Sequence, residues 1–100
     1  MRTVALDKDL IINALKEIKP LLEEKYTVTE LALFGSYSRG EQNLKSDIDI
    51  MVAHNSPLGF RYFDLVYELK ELFEIEVQVV SKMAIKPAYF EAISKDLIYV

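Results

Sequence analysis

Asp47 and Asp49 are two carboxylates separated by a single residue. On a strand, residues i and i+2 point to the same side, with Cα atoms about 6–7 Å apart at a rise near 3.3 Å per residue. Carboxylates so spaced can converge on one Mg²⁺ or bridge two ions about 4 Å apart. Mg²⁺ commonly takes one or two protein carboxylates and completes its octahedron with phosphate oxygens and water. A clamp of that kind needs a neighbour that holds phosphates, and Gly35-Ser36 lies ten residues upstream. A glycine at a strand end lets the backbone come close to a ligand, and the turn after it offers amides at a helix N-terminus. Ser36 adds a hydroxyl and Arg39 a guanidinium fork. Taken singly, an Asp-x-Asp is usually a solvated strand and a Gly-Ser usually a turn. Taken together, Gly35, Ser36 and Arg39 make a phosphate cradle, and Asp47 and Asp49 a metal clamp and catalytic pair.

The elements that must position these groups are legible along the chain. Asp7 or Asp9 can cap a helix starting near Leu10, whose apolar face is Leu10, Ile11, Ala14, Leu15 and Ile18. Pro20 is expected to break or kink that helix, since it lacks a backbone donor. Thr27 to Phe34 reads as a strand ending at Gly35. Ser36 is then the expected N-cap of a short helical turn over Tyr37 to Arg39, closed by Gly40. Glu41 to Ser46 is a polar loop. Asp47 to Ala53 alternates, with Asp47, Asp49 and Met51 on one face and Ile48, Ile50 and Val52 on the other, as in a half-buried strand. A turn over Asn55 to Gly59 leads to an amphipathic helix, Phe60 to Phe73, with Phe63, Val66, Tyr67, Leu69, Leu72 and Phe73 available for the core. Ile75 to Val80 forms a third strand, Pro87 to Lys95 a short helix, and Leu97 to Val100 a terminal strand or packed tail. This order predicts an α/β (α+β) fold with a small mixed β-sheet flanked by helices.

Composition sets the outer bounds. One hundred residues with 51% hydrophobic content suit a single domain over 1–100 with one core. A net charge of −4 and the lack of a basic stripe argue against a duplex-DNA binder. With no cysteine there is neither a disulfide framework nor a thiolate zinc site. No signal-peptide core and no apolar run of about 20 residues is present, so a cytoplasmic, membrane-free protein is expected.

Gly35-Ser36, ten residues and Asp47-Ile48-Asp49 match the GSx10DxD signature of the DNA polymerase β nucleotidyltransferase superfamily. The stretches Phe34 to Glu41 and Ser46 to Ile50, with the ending Asp96 to Val100, resemble its minimal nucleotidyltransferase (MNT) branch over nearly the whole chain. The resemblance implies the polymerase β-like fold, Mg²⁺ as cofactor and ATP as substrate. It also implies a role as antitoxin to a HEPN-domain ribonuclease toxin, through addition of AMP to a toxin tyrosine. The family pattern carries a third carboxylate on the next core strand, where Val77-Gln78-Val79-Val80 places Gln78. A glutamine offers a neutral oxygen but accepts no proton as a base. Glu76, two residues earlier on the same face, either substitutes from a shifted position or is an exposed strand-end acid. The alternative to an enzyme is therefore a binding module that neutralises a toxin by docking.

Other residues read more plainly. His54 is a strand-end histidine, Tyr37 packs or lines the pocket edge, and Ser38 caps or binds phosphate. Arg61, Tyr62 and Tyr67 belong to a helix, where aromatics ordinarily face the core. Lys82, Lys86 and Lys95 are ordinary solvated lysines or aids to a triphosphate or partner. The pattern as a whole predicts Asp47 and Asp49 in one accessible groove beside Ser36, with Ile48 and Ile50 buried.

Overall fold

The computed structural model describes residues 6–100; residues 1–5 of the expected domain lie outside the described part. Four helices and four strands follow one another as α1 (Lys8–Tyr26), β1 (Val28–Phe34), α2 (Ser36–Arg39), β2 (Ile48–His54), α3 (Arg61–Leu72), β3 (Val77–Ser81), α4 (Pro87–Ser94) and β4 (Ile98–Tyr99). The strands form one mixed sheet in the order β3-β2-β1-β4. β1 is antiparallel to both β2 and β4, while β2 and β3 run parallel. A parallel pair needs a long crossover, and α3 supplies it.

Strand alternation divides the core into two layers. Leu31, Leu33, Ile48, Ile50, Val52 and Val77 face α1 and α3, where Ile11, Leu15, Leu22, Tyr26, Leu65 and Leu69 complete the larger cluster. Ala32, Phe34 and Met51 face the other way and meet Phe90 and Ile93 of α4, together with Leu97. β2 is thus covered on both faces beyond Asp49, rather than half-buried as its alternation suggests. Among the described residues no helix is long and apolar enough to cross a membrane.

Three local expectations are corrected. Helix α1 runs unbroken through Pro20, which is solvent-exposed. A proline in a helix interior costs about 3 kcal/mol. Ile11 and Leu15 before it and Leu22 and Tyr26 after it are fully or almost fully buried, and each contributes about 1.5–3 kcal/mol. Packing on both sides therefore holds the helix together, and the buried line runs 11, 15, 22, 26, leaving Leu10 53% exposed. In α3 the buried residues are Leu65 and Leu69, followed by Phe73, whereas Phe63 and Tyr67 are 68% and 62% exposed. An apolar count alone cannot phase a helix that carries apolar residues on two faces. Finally, Gly35, not Ser36, is the N-cap of α2, and Ser36 is its first helical residue.

Asp7 caps α1 by accepting from the Asp9 amide at 2.8 Å. At the far end Thr27 is left-handed, with φ 52°, and leads directly into β1.

Because Pro20 sits on the solvent side of an otherwise regular helix, Pro20→Ala should raise unfolding stability by about 1–3 kcal/mol. Leu22→Ala, two residues on but buried, should lower it by about 2–5 kcal/mol. Urea midpoints of the two variants against the wild type check both signs.

Candidate active site

The site grows from the turn between β1 and α2. Phe34 ends β1 directly opposite Asp49 in the antiparallel register. Gly35 follows with φ 78° and ψ −157°, a backbone region that only glycine occupies readily. A Cβ at Gly35 would lie 2.1 Å from Oδ2 of Asp49, so the Asp49 carboxylate fills the space where any other residue would carry its side chain. This contact joins the two halves of the motif.

Helix α2 starts at once. Its first amides have no acceptor within the turn, and they open beside the residue that holds Asp49. The turn is closed by Gly40 in the left-handed conformation, φ 71°, with the Glu41 amide donating to the Ser36 carbonyl at 2.9 Å. Ser36 is partly exposed at the head of this turn. Tyr37 is fully buried, with a hydroxyl that has no hydrogen-bond partner among the described residues. Ser38 is buried as well and donates its hydroxyl to the Asp96 carbonyl. Ser38 is thus a structural tie to the C-terminal segment.

Asp47 lies just before β2 and is exposed, while Asp49 is partly buried within it. Burial raises the Asp49 pKa above the ordinary carboxylate value; Asp47 adds to the rise, and Arg39 opposes it. The three charges are therefore close enough to feel one another. Two neighbouring carboxylates, one of them poorly solvated, are a donor set that a hard divalent cation would relieve.

Arg39 reaches this group from the end of α2, and two acids hold it in place. Its Nε donates to Glu41 and its Nη1 to Asp96, each at 2.8 Å. Asp96, with its side chain only 15% exposed, is the residue that sequence reasoning missed. It takes hold of α2 twice, through its carboxylate on Arg39 and its carbonyl on Ser38. Nothing local to Asp96 signals this, since the contacts span 57 and 58 residues.

The two candidates for a third carboxylate separate clearly. Gln78 is the Cα partner of Asp49 across the parallel pair β2/β3 and is exposed. Glu76 precedes β3; its carbonyl accepts from the Ile48 amide at 3.0 Å, and its carboxylate pairs with Lys70 of α3 at 3.3 Å. Among the described residues no group of three or more His, Cys, Asp or Glu could hold a metal together. His54 sits at the opposite end of β2, about 16 Å along the strand from Asp49, with Nδ1 2.8 Å from the Ser56 carbonyl. Lys82 is bound to Glu30 at 2.9 and 3.2 Å, while Lys86 and Lys95 cap the ends of α4. Arg61 is tied to the Lys25 carbonyl.

Comparison with known proteins shows the chain's family and fold. Residues 15–100 match the family model described as nucleotidyltransferase domain. A Methanocaldococcus jannaschii protein with the provisional name of protein adenylyltransferase is 44% identical over the full length of both chains. The protein adenylyltransferase MntA of Thermococcus cleftensis is 32% identical, over 82% of this chain and 84% of its own. Among solved structures, one described as a minimal nucleotidyltransferase aligns with TM-score 0.79 and 23% identity, over 93% of this chain and 95% of that one. A toxin–antitoxin MntA-HpeT crystal structure aligns with TM-score 0.66 and 25% identity, over 96% of this chain and 72% of that one.

The raised Asp49 pKa has a stability consequence of fixed sign. The folded state holds the Asp49 proton more tightly than the unfolded state, so stability from this group is present at acid pH and falls as pH rises through the window between the two pKa values. Asp47→Asn with Asp49→Asn removes that slope. At neutral pH the double variant should melt at the same temperature or higher, by no more than about 4–8 °C, what about 1 kcal/mol is worth in a domain this size. Gly35→Ala should instead lower melting, because it forces both a strained φ and a clash with Asp49. Thermal melts across pH 3–7 (roughly the span of carboxylate titration) check both.

Proposed function

This chain belongs to the nucleotidyltransferase domain family, and on that footing we propose that it transfers AMP from ATP to a tyrosine of a HEPN-domain toxin, acting as the toxin's antitoxin in the cytoplasm. The observation that carries the reading is the packing of Asp49 on the side-chain-free face of Gly35, which sets a carboxylate pair beside a turn of open amides. Relatives named protein adenylyltransferase support a protein acceptor. The likeness to a solved toxin–antitoxin pair supports a toxin as that protein.

In this reading the triphosphate rests against the amides at the head of α2 and the Ser36 hydroxyl. Arg39, held by Glu41 and Asp96, presents its charge to the phosphates without needing to be ordered first. Asp47 and Asp49 would hold Mg²⁺. When bound, Mg²⁺ would spread the charge of the triphosphate and of the departing pyrophosphate. The acceptor oxygen forms a bond to the α-phosphorus as the bond from that phosphorus to the α–β bridging oxygen breaks. Pyrophosphate leaves, and the hydroxyl proton passes to water. Most of the acceleration comes from positioning and charge neutralisation.

Gln78 favours a second reading. It stands beside Asp49 where a third acid would help the acceptor, and with a neutral amide there the domain retains nucleotide binding but transfers slowly, neutralising its partner mainly by docking.

Co-expression with a neighbouring HEPN-domain protein, followed by intact-mass analysis of that protein for a tyrosine-linked AMP, tests the enzyme. Appearance of AMP that depends on Asp47 and Asp49 is the expected result; a partner that is bound and neutralised without AMP establishes the docking reading. General-base assistance is worth about 10²- to 10⁴-fold. Gln78→Asp should therefore raise the transfer rate with little change in ATP affinity, and Glu76→Gln, whose carboxylate is engaged with Lys70, should change neither. A dead Glu76→Gln with a neutral Gln78→Asp would instead make Glu76 the third acid.

A further inference from the structure

Strand β3 is an open edge of the sheet. Among the described residues, β2 is its only strand neighbour. The Ile48 amide donates to the Glu76 carbonyl at 3.0 Å, and the Lys82 amide donates to the Val52 carbonyl at 2.8 Å. Between these two bonds the parallel ladder alternates. Gln78 and Val80 therefore turn their backbone groups inward to β2, and Val77 and Val79 turn theirs outward, away from the sheet. The outward row carries no proline and no charged side chain, the usual guards against strand addition.

The side chains along this edge also alternate. Gln78 shares a face with Asp49, its register partner. Val79 lies on the opposite face, where it packs against the larger core cluster. On that opposite face a groove of about 480 Å³ opens beside the edge, lined by Leu58, Tyr62, Val79 and Ala84 among others, and its walls are chiefly apolar. The edge thus runs between two features: the carboxylate pair on one face and an apolar groove on the other.

We propose that the acceptor protein docks on β3 as an added strand, hydrogen-bonded to Val77 and Val79, with a large apolar side chain in the groove and a tyrosine on the Asp49 face. The proposal rests on the reading of this chain as a protein adenylyltransferase. Strand addition supplies main-chain bonds for affinity, and pockets for alternate side chains supply specificity. Successive side chains of a strand point to opposite faces. The anchor opposite Val79 or Ser81 and the hydroxyl residue opposite Gln78 are therefore one or three positions apart, never two. Strands are spaced about 4.7–4.9 Å, so the added strand lies about 9–10 Å from β2. A tyrosine side chain laid across Gln78 spans most of that distance towards Asp49, and a serine does not.

The test uses labelled ATP and synthetic peptides of constant composition, each with one tyrosine and one leucine one, two, three or four residues away. The wild type should label the peptides with odd spacing above those with even spacing. Val79→Pro leaves the β2 ladder intact, since the Val79 amide points outward, and a proline is tolerated at such an edge position. It should cut labelling about tenfold or more, the effect of losing main-chain bonds of ordinary net strength and adding a steric block. Ala84→Trp, which fills the groove from its exposed rim, should do the same, so the inference does not depend on the folding of the proline variant. ATP affinity should hold in both. Equal labelling at odd and even spacing, or full labelling by both variants, overturns strand docking and leaves the activity standing. So does a lack of label on every peptide when AMP appears on a co-expressed partner protein. If neither peptides nor partner carry AMP, the adenylyltransferase reading falls and the docking mode falls with it.

Discussion

The rest of the site depends on one steric vacancy. Gly35 has no side chain, and the carboxylate of Asp49 occupies the space a side chain would take. The register of β1 with β2 sets Phe34 opposite Asp49, so the chain must turn at the next residue, and it must do so in a conformation open to glycine. From that turn follow the start of α2 and the closeness of its first residues to Asp49. A backbone with two antiparallel strands and a tight turn can bring carboxylate and amides together only if nothing stands between them.

Electrostatics explains why the site is held open. Asp49 is partly desolvated and lies near Asp47, so its charge is unfavourable without a counter-ion, and its pKa rises accordingly. Arg39 offsets part of this, but its two hydrogen bonds go to Glu41 and Asp96. The guanidinium is thereby fixed beside the carboxylates without being neutralised onto them. A pre-positioned cation and an unsatisfied pair of anions suit a ligand that brings both charges, as a triphosphate and its metal do. The C-terminal segment takes part through Asp96, which anchors α2 from outside the motif.

The sheet's asymmetry separates two tasks. On the β1 side, β4 pairs with the strand and the Val100 amide donates to the Leu31 carbonyl at 2.9 Å, closing that margin. On the β3 side the margin is open among the described residues, and it passes directly beside Asp49 through Gln78. If the nucleotide sits at the β1–α2–β2 turn, as proposed, an acceptor approaching from β3 would not compete for the same groups.

Much of this was legible in the sequence, because it depends on short-range periodicity. Strand alternation gave the faces of β2, with Ile48, Ile50 and Val52 on one side and Asp49 and Met51 on the other. The Gly-Ser and Asp-x-Asp spacing marked the candidate site, whose nucleotide and metal roles belong to the proposal, and the element order gave a mixed sheet flanked by helices. Local signals misled where two preferences compete. Pro20 argued for a break that the buried residues on either side of it override. Apolar residues on two faces of α3 obscured its phase, and Ser36 looked like a cap where the steric demand of Asp49 makes Gly35 the cap. What tertiary structure alone decided are contacts between residues far apart in sequence. The clasp of Asp96 on Arg39 and Ser38, the diversion of Glu76 to Lys70 and the pairing of Gln78 with Asp49 all depend on strand register and helix packing. A sequence specifies which groups a segment can present, but which distant groups they meet is fixed only when the cores on both faces of the sheet close.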